Sequence, residues 1–130
     1  MATEAWIEAD VDGAFREYLE VALGPAMLGR VQHAATDGPL PQVVVMRLGG
    51  YATDISYQID VWDETRDGAW LLTATVAGAV EVASEAWASL MPSAHARIIG
   101  TRVESIRWLP DDVTDTPRYV VEVTVSGTIA

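Results

Sequence analysis

Between residues 55 and 90 the hydrophobic pattern changes period once, from two to about 3.6, with only a short break between the two regimes. Ile55, Tyr57, Ile59 and Val61 alternate with Ser56, Gln58, Asp60 and Trp62, the pattern of a strand with one buried face. Ala69, Leu72, Val76, Val80, Ala83, Trp87 and Leu90 then step by three or four residues. This spacing predicts one helix over 65–90, about 39 Å long. Thr65 or Asp63 suits its N-cap, and Glu64 and Asp67 suit the positive end of its dipole. Met91-Pro92-Ser93 ends it. The Ala-rich stripe fits close packing on a sheet, so a chain built around this unit needs a sheet for the helix to cover.

The flanking segments supply that sheet. Val11, Ala14, Phe15, Tyr18, Leu19 and Ala22 form one helical face, with Asp10 as the expected N-cap and Gly24-Pro25 as the stop. Residues 1–9 read as a loose arm or as the start of that helix. Leu28–Ala34 reads as a short strand, and the Gly- and Pro-rich segment 36–41 as a loop. Val43-Val44-Val45-Met46 reads as a buried strand. Gly49-Gly50 reads as a turn, making 42–48 and 55–63 a hairpin with a connection of about six residues. Arg97–Leu109 reads as a long strand whose apolar residues switch face. Ile99, Thr101 and Val103 lie on one side and Ile106 and Trp108 on the other, which predicts a bulge. Residues 110–117 form an acidic loop between prolines. Arg118–Ile129 reads as the last strand, antiparallel to 97–109. The expected fold is α+β: one domain over 1–130, with a mostly antiparallel or mixed sheet and two helices on one face.

The chain is large enough for this. Its 130 residues are half hydrophobic and include five Trp. A domain of that size buries roughly two-thirds of its unfolded surface and needs no staple. There is no Cys, which excludes disulfides and thiol chemistry. The N-terminus lacks the basic start and apolar core of a signal peptide. No run reaches the ~20 apolar residues of a membrane span. Synthesis in the cytosol is expected. Nineteen acidic residues face eight basic ones, all Arg, for a net charge of −11. Such a surface repels phosphate backbones and acidic membranes, so neither nucleic acid nor membrane is an expected partner.

No catalytic or cofactor pattern emerges. His33 and His95 lack the spacing and companions of a metal site. No nucleophile elbow, dinucleotide fingerprint or phosphate loop occurs. Asp111, Asp112 and Asp115 lack the glycine and closing Glu of a calcium loop. They read either as a solvated loop or as a docking loop for arginines of a neighbouring subunit. The expectation is a protein that is not an enzyme and carries no cofactor and no metal. The Trp residues say more. Trp87 fits the buried helix stripe, Trp6 falls in the N-terminal arm, Trp62 lies on the polar side of its strand, and Trp70 lies off the helix stripe. Exposed aromatics are enriched at interfaces. Trp62 and Trp70 are therefore candidate interface residues, as are Arg66, Arg107 and Arg118 opposite Asp111, Asp112 and Asp115.

Several segments, taken in order, resemble tail terminator proteins of long-tailed, non-contractile bacteriophages. The first is the helix Asp10–Leu23. The second is the Pro-led apolar strand from Leu40-Pro41 to Gly49-Gly50. The third is Ser56–Arg66, a strand running into the Ala-rich helix. The last is Trp108-Leu109-Pro110-Asp111-Asp112, followed by Pro117-Arg118-Tyr119-Val120 and a final strand. The resemblance covers about residues 10–129 and lies in the order and spacing of these segments. It implies an α+β protein that assembles as a hexameric ring on the tail tube, ends tube polymerisation and presents a joining surface to the head. The implied partners are further copies of itself, the tail tube protein and a head-completion or connector protein. The implied location is the head-proximal end of the tail in the virion. Two other readings stand beside it: another neck or head–tail joining protein, or a small α+β ligand-binding domain with a pocket between sheet and helix.

Overall fold

The computed structural model describes residues 4–51 and 54–129, with side chains for 11–50 and 54–128. The elements run α1 (Glu4–Leu23), a 3-10 turn (Pro25–Met27), β1 (Val31–Gln32), β2 (Gln42–Tyr51), β3 (Asp54–Trp62), α2 (Arg66–Glu81), α3 (Ala83–Leu90), β4 (Ala96–Trp108) and β5 (Arg118–Ile129). The strands form one sheet in the order β1-β2-β3-β5-β4. β1 runs parallel to β2, and every other pairing is antiparallel. The chain is an α+β domain, as the sequence pattern requires.

Alternate residues of β2, β3 and β5 enter one core. Val43 and Val45 of β2, Ile55, Tyr57, Ile59 and Val61 of β3, and Val121, Val123 and Val125 of β5 are all buried there. The helices cover this face with Val11, Phe15, Tyr18 and Leu19 of α1, Val76 and Val80 of α2, and Trp87 of α3. Those four α1 residues belong to the stripe read from the sequence. α1 begins at Glu4, however, so Asp10 lies inside the helix and does not cap it. Residues 1–3 of the expected arm lie outside the described residues. Gly24 ends α1 with φ 93°, a conformation that glycine tolerates without a Cβ penalty.

The long helix is two helices. Val82 leaves helical geometry at φ −101° and ψ 7°, and α3 starts immediately after it. Side chains from elsewhere cause the break. Tyr18 donates its hydroxyl to the carbonyl oxygen of Ala79 at 2.5 Å, and Thr101 donates to that of Val80 at 2.5 Å. An unbroken helix would offer those two carbonyls to the amides of residues 83 and 84. α3 turns so that the Trp87 ring stacks on Tyr18 at 5.3 Å and its indole N–H donates to the carbonyl of Ala96 at 3.1 Å. At the start of α2, Thr65 is the N-cap, accepting from the Gly68 amide at 3.0 Å.

Two further expectations change. Gly49-Gly50 is not the hairpin turn but part of β2, which continues to Tyr51 opposite Asp54. A bulge at Leu48 adds the extra residue. A Cβ on Gly50 would lie 2.2 Å from the backbone oxygen of Asp54, so only glycine fits there. The turn itself, residues 52–53, lies outside the described residues. In β4 the predicted bulge is two bulges, at Ile99 and Glu104. Each extra residue shifts the phase by one, so Ile98, Thr101, Val103, Ile106 and Trp108 all share the helix-covered side, opposite alternate residues of β5. The apolar residues of β4 do not switch face, and Ile99 is left exposed.

Candidate interaction surface

The sheet has a helix-covered face and an open face, and both carry aromatic–arginine contacts at the same end. There β3, β5 and β4 meet, with Trp62 opposite Arg118 and Tyr119 opposite both Val61 and Trp108. Adjacent residues in a strand point to opposite faces. Tyr119 therefore joins the helix side, and Arg118 the open side.

On the helix side, Tyr119 is the hub. Its ring centroid lies 5.0 Å from that of Trp108 and 5.3 Å from that of Trp70, both tilted. Arg66, the first residue of α2, lies 4.4 Å from the centroid of the Trp108 ring, and its Nε donates to the Tyr119 hydroxyl at 3.4 Å. The guanidinium thus caps an aromatic stack through ring-face attraction and a hydrogen bond. Trp70 follows one helical turn later and is half-exposed; Ile106, Leu109 and Val113 are exposed as well.

On the open side, the Arg118 guanidinium lies 4.7 Å over the Trp62 ring. It pairs with the buried carboxylate of Asp60 at 3.4 Å and donates to the carbonyl of Leu109 at 2.8 Å. Gln58 donates to the same carboxylate at 2.9 Å. A buried charge is tolerated when paired and hydrogen-bonded in this way. Further along this face, Arg107 pairs with Glu122 at 3.2 Å and Arg102 with Glu104 at 2.6 Å. Arg102 and Thr124 hold the Glu104 carboxyl below the usual carboxylate range through hydrogen bonds.

The acidic loop divides into two kinds of carboxylate. Asp111 builds the loop: one oxygen accepts from the amides of Val113 at 2.8 Å and Thr114 at 2.9 Å, and its backbone bonds to Thr116 and Asp115. The Thr114 and Val113 amides hold its carboxyl below the ordinary aspartate range. Asp112 and Asp115 are exposed, and their carboxylates have no partner among the described residues. Beside this loop, segment 33–41 closes a cleft of about 330 Å³ over Trp62, lined also by Thr36, Asp37, Leu40 and Thr114. The Trp62 indole N–H is shut from solvent and meets no acceptor among the described residues.

Of the eight residues singled out from the sequence, Arg66 and Trp70 meet at Tyr119, and Trp62 and Arg118 meet over Asp60. Arg107 stands on the open face with Glu122. Asp111, Asp112 and Asp115 lie in the loop at this same end. Arg66, Arg107 and Arg118 each have a partner inside the chain, which a neighbouring carboxylate would have to share. Tyr119 and Asp60 were missed. The signal for Tyr119 was its register against Trp108, invisible until β4 and β5 are aligned. Asp60 looked like any polar residue on the solvent side of an alternating strand. Nothing in the cluster pairs a nucleophile with a base. His33 contacts the carbonyl of Val45 through Nδ1 at 3.1 Å. Among the described residues no three of His, Asp or Glu converge on a position that could hold a metal ion. The sequence matches no protein-family model and no curated protein sequence.

Proposed function

We propose that this chain is a structural virion protein that caps the tail tube of a long-tailed, non-contractile phage as a hexameric ring. In this role it ends tube polymerisation and offers the joining surface for the head. The observation that carries the reading is the composition of one end of the sheet. Aromatic rings, paired arginines, free carboxylates and exposed apolar side chains are gathered there on both faces of the sheet, on strand and helix ends and the loop that joins β4 to β5. That is the make-up of a contact surface. The segment order that resembles tail terminators points the same way. The sheet–helix space that a ligand-binding domain would need is filled by Phe15, Tyr57, Val76, Val121 and their neighbours.

The test is the tail-length distribution, by electron microscopy, of particles made without this gene. Overlong, headless tails are expected. Tails of normal length refute the reading; if heads also fail to join such tails, the protein is a neck component of another kind.

A further inference from the structure

We infer that the cleft over Trp62 receives the start of β4 from a second copy of this chain, with Arg97 as the inserted charge. This deepens the ring reading and rests on it.

Both surfaces lie on the open face of the sheet, at different corners. Ala96 and Ile98 enter the core, so Arg97 between them points to the open side, and the bulge leaves Ile99 exposed next to it. Trp62 is on the open side as well, opposite Arg118 at the start of β5, whereas Arg97 sits opposite Thr128 near the end of β5. Ten residues of strand separate these positions, about 33 Å. Arg97 also stands on the edge strand, while the cleft is built around β2, β3 and the loop that follows β1. When each copy's Arg97 enters the cleft of a different neighbour, the contact is head-to-tail, the kind that generates rings.

Charge identifies the occupant. The chain carries −11, so most of its surface repels a second copy. The cleft has an apolar floor of Trp62 and Leu40, Asp37 in its wall and Asp112 and Asp115 on the adjoining loop, all three carboxylates unpaired among the described residues. It calls for a cation beside an apolar group. Among the described residues, Arg97 is the arginine with no hydrogen bond, ion pair or ring contact, and Ile99 supplies the apolar neighbour.

Sedimentation of the full chain at low ionic strength tests this. The unmodified chain is expected to self-associate. Arg97→Glu and the double variant Asp37→Arg/Asp112→Arg should each weaken association about a hundredfold, because like charges then meet. In an equimolar mixture of the two variants the live Arg97 of one meets the live cleft of the other, and the Arg97→Glu carboxylate meets the charge-reversed cleft, so the mixture should associate as the unmodified chain does. Placing all three changes in one chain should restore association. Circular dichroism establishes that each variant, changed only at exposed positions, is folded. A monomeric unmodified chain, variants that associate like their parent, or a mixture that stays monomeric each overturns the inference. Overlong tails without the gene, combined with any of these results, would leave the terminator reading intact and place its contact elsewhere. Normal tails with the expected sedimentation would keep the contact and remove the tail role.

Discussion

The Tyr18 hydroxyl on α1 donates to the Ala79 carbonyl on α2 at 2.5 Å, one helical turn before the chain bends into α3. Burial raises the pKa of this phenol, which keeps it protonated and a donor at neutral pH. Tyr18→Phe keeps the ring stacked on Trp87 and removes the bond. It should destabilise the fold by about 1 kcal/mol, and Thr101→Val should do the same through Val80. Urea denaturation measures both. Because the two bonds hold one bend, the double variant should depart from additivity.

Arg118 and Arg107 test burial against exposure. Arg118→Ala strands the buried Asp60 carboxylate and should cost about 3 kcal/mol. Arg107→Ala breaks an exposed pair with Glu122 and should cost less than about 1 kcal/mol. Asp60→Asn in the Arg118→Ala background should recover part of the larger loss. Equal denaturation midpoints for the two single variants would contradict this assignment.

Asp111 predicts an acid limb. Its carboxyl is held below the ordinary aspartate range by the Thr114 and Val113 amides. A depressed folded pKa means that its contribution is present above about pH 3.8 and is lost as pH falls through the folded value. The Val113 and Thr114 amide resonances should shift with that titration, at a midpoint below 3.8. In Asp111→Asn these shifts should be absent, while those of Thr124 beside Glu104 persist.

Gly127 marks where α1 meets β5. A Cβ there would lie 2.5 Å from Cγ2 of Val11. Gly127→Ala should cost about 1–3 kcal/mol through overpacking. Val11→Ala makes room for the added methyl, so the double variant should be more stable than the sum of the single losses implies. A thermal melt of the three variants decides it.

The parts of the fold legible in the sequence are those where one residue's role repeats. Ile55 to Val61, Tyr119 to Val125, and the Val11–Leu19 face each carry several residues voting for the same side. What stayed hidden depends on partners far along the chain. Nothing near Val82 says that a tyrosine 61 residues from Ala79 will take that residue's carbonyl. β4 could be read as switching face because an extra residue and a change of face look the same in one strand. Only the ladder with β5 tells them apart. Trp62 and Trp70 read as exposed aromatics: Trp70 is exposed as its off-stripe position requires, whereas Trp62 is half-buried with Arg118 over its ring. The arginines read as partners for the acidic loop of a neighbouring copy, yet Arg66, Arg107 and Arg118 are each engaged at home. Whether a cation is spoken for is a tertiary property.

The two bulges in β4 limit what the edge of the sheet can template. β4 spans thirteen residues at the sheet margin, with no strand on its outer side among the described residues. An unbroken ribbon of that length would template the next copy's backbone, and the next, without limit. Ile99 and Glu104 interrupt the template at two points. In the ring proposed above, further copies would then be chosen by side chains, whose fit fixes an angle between neighbours and so permits closure after a finite number. A chain that halts the polymerisation of another protein would need this restraint on its own.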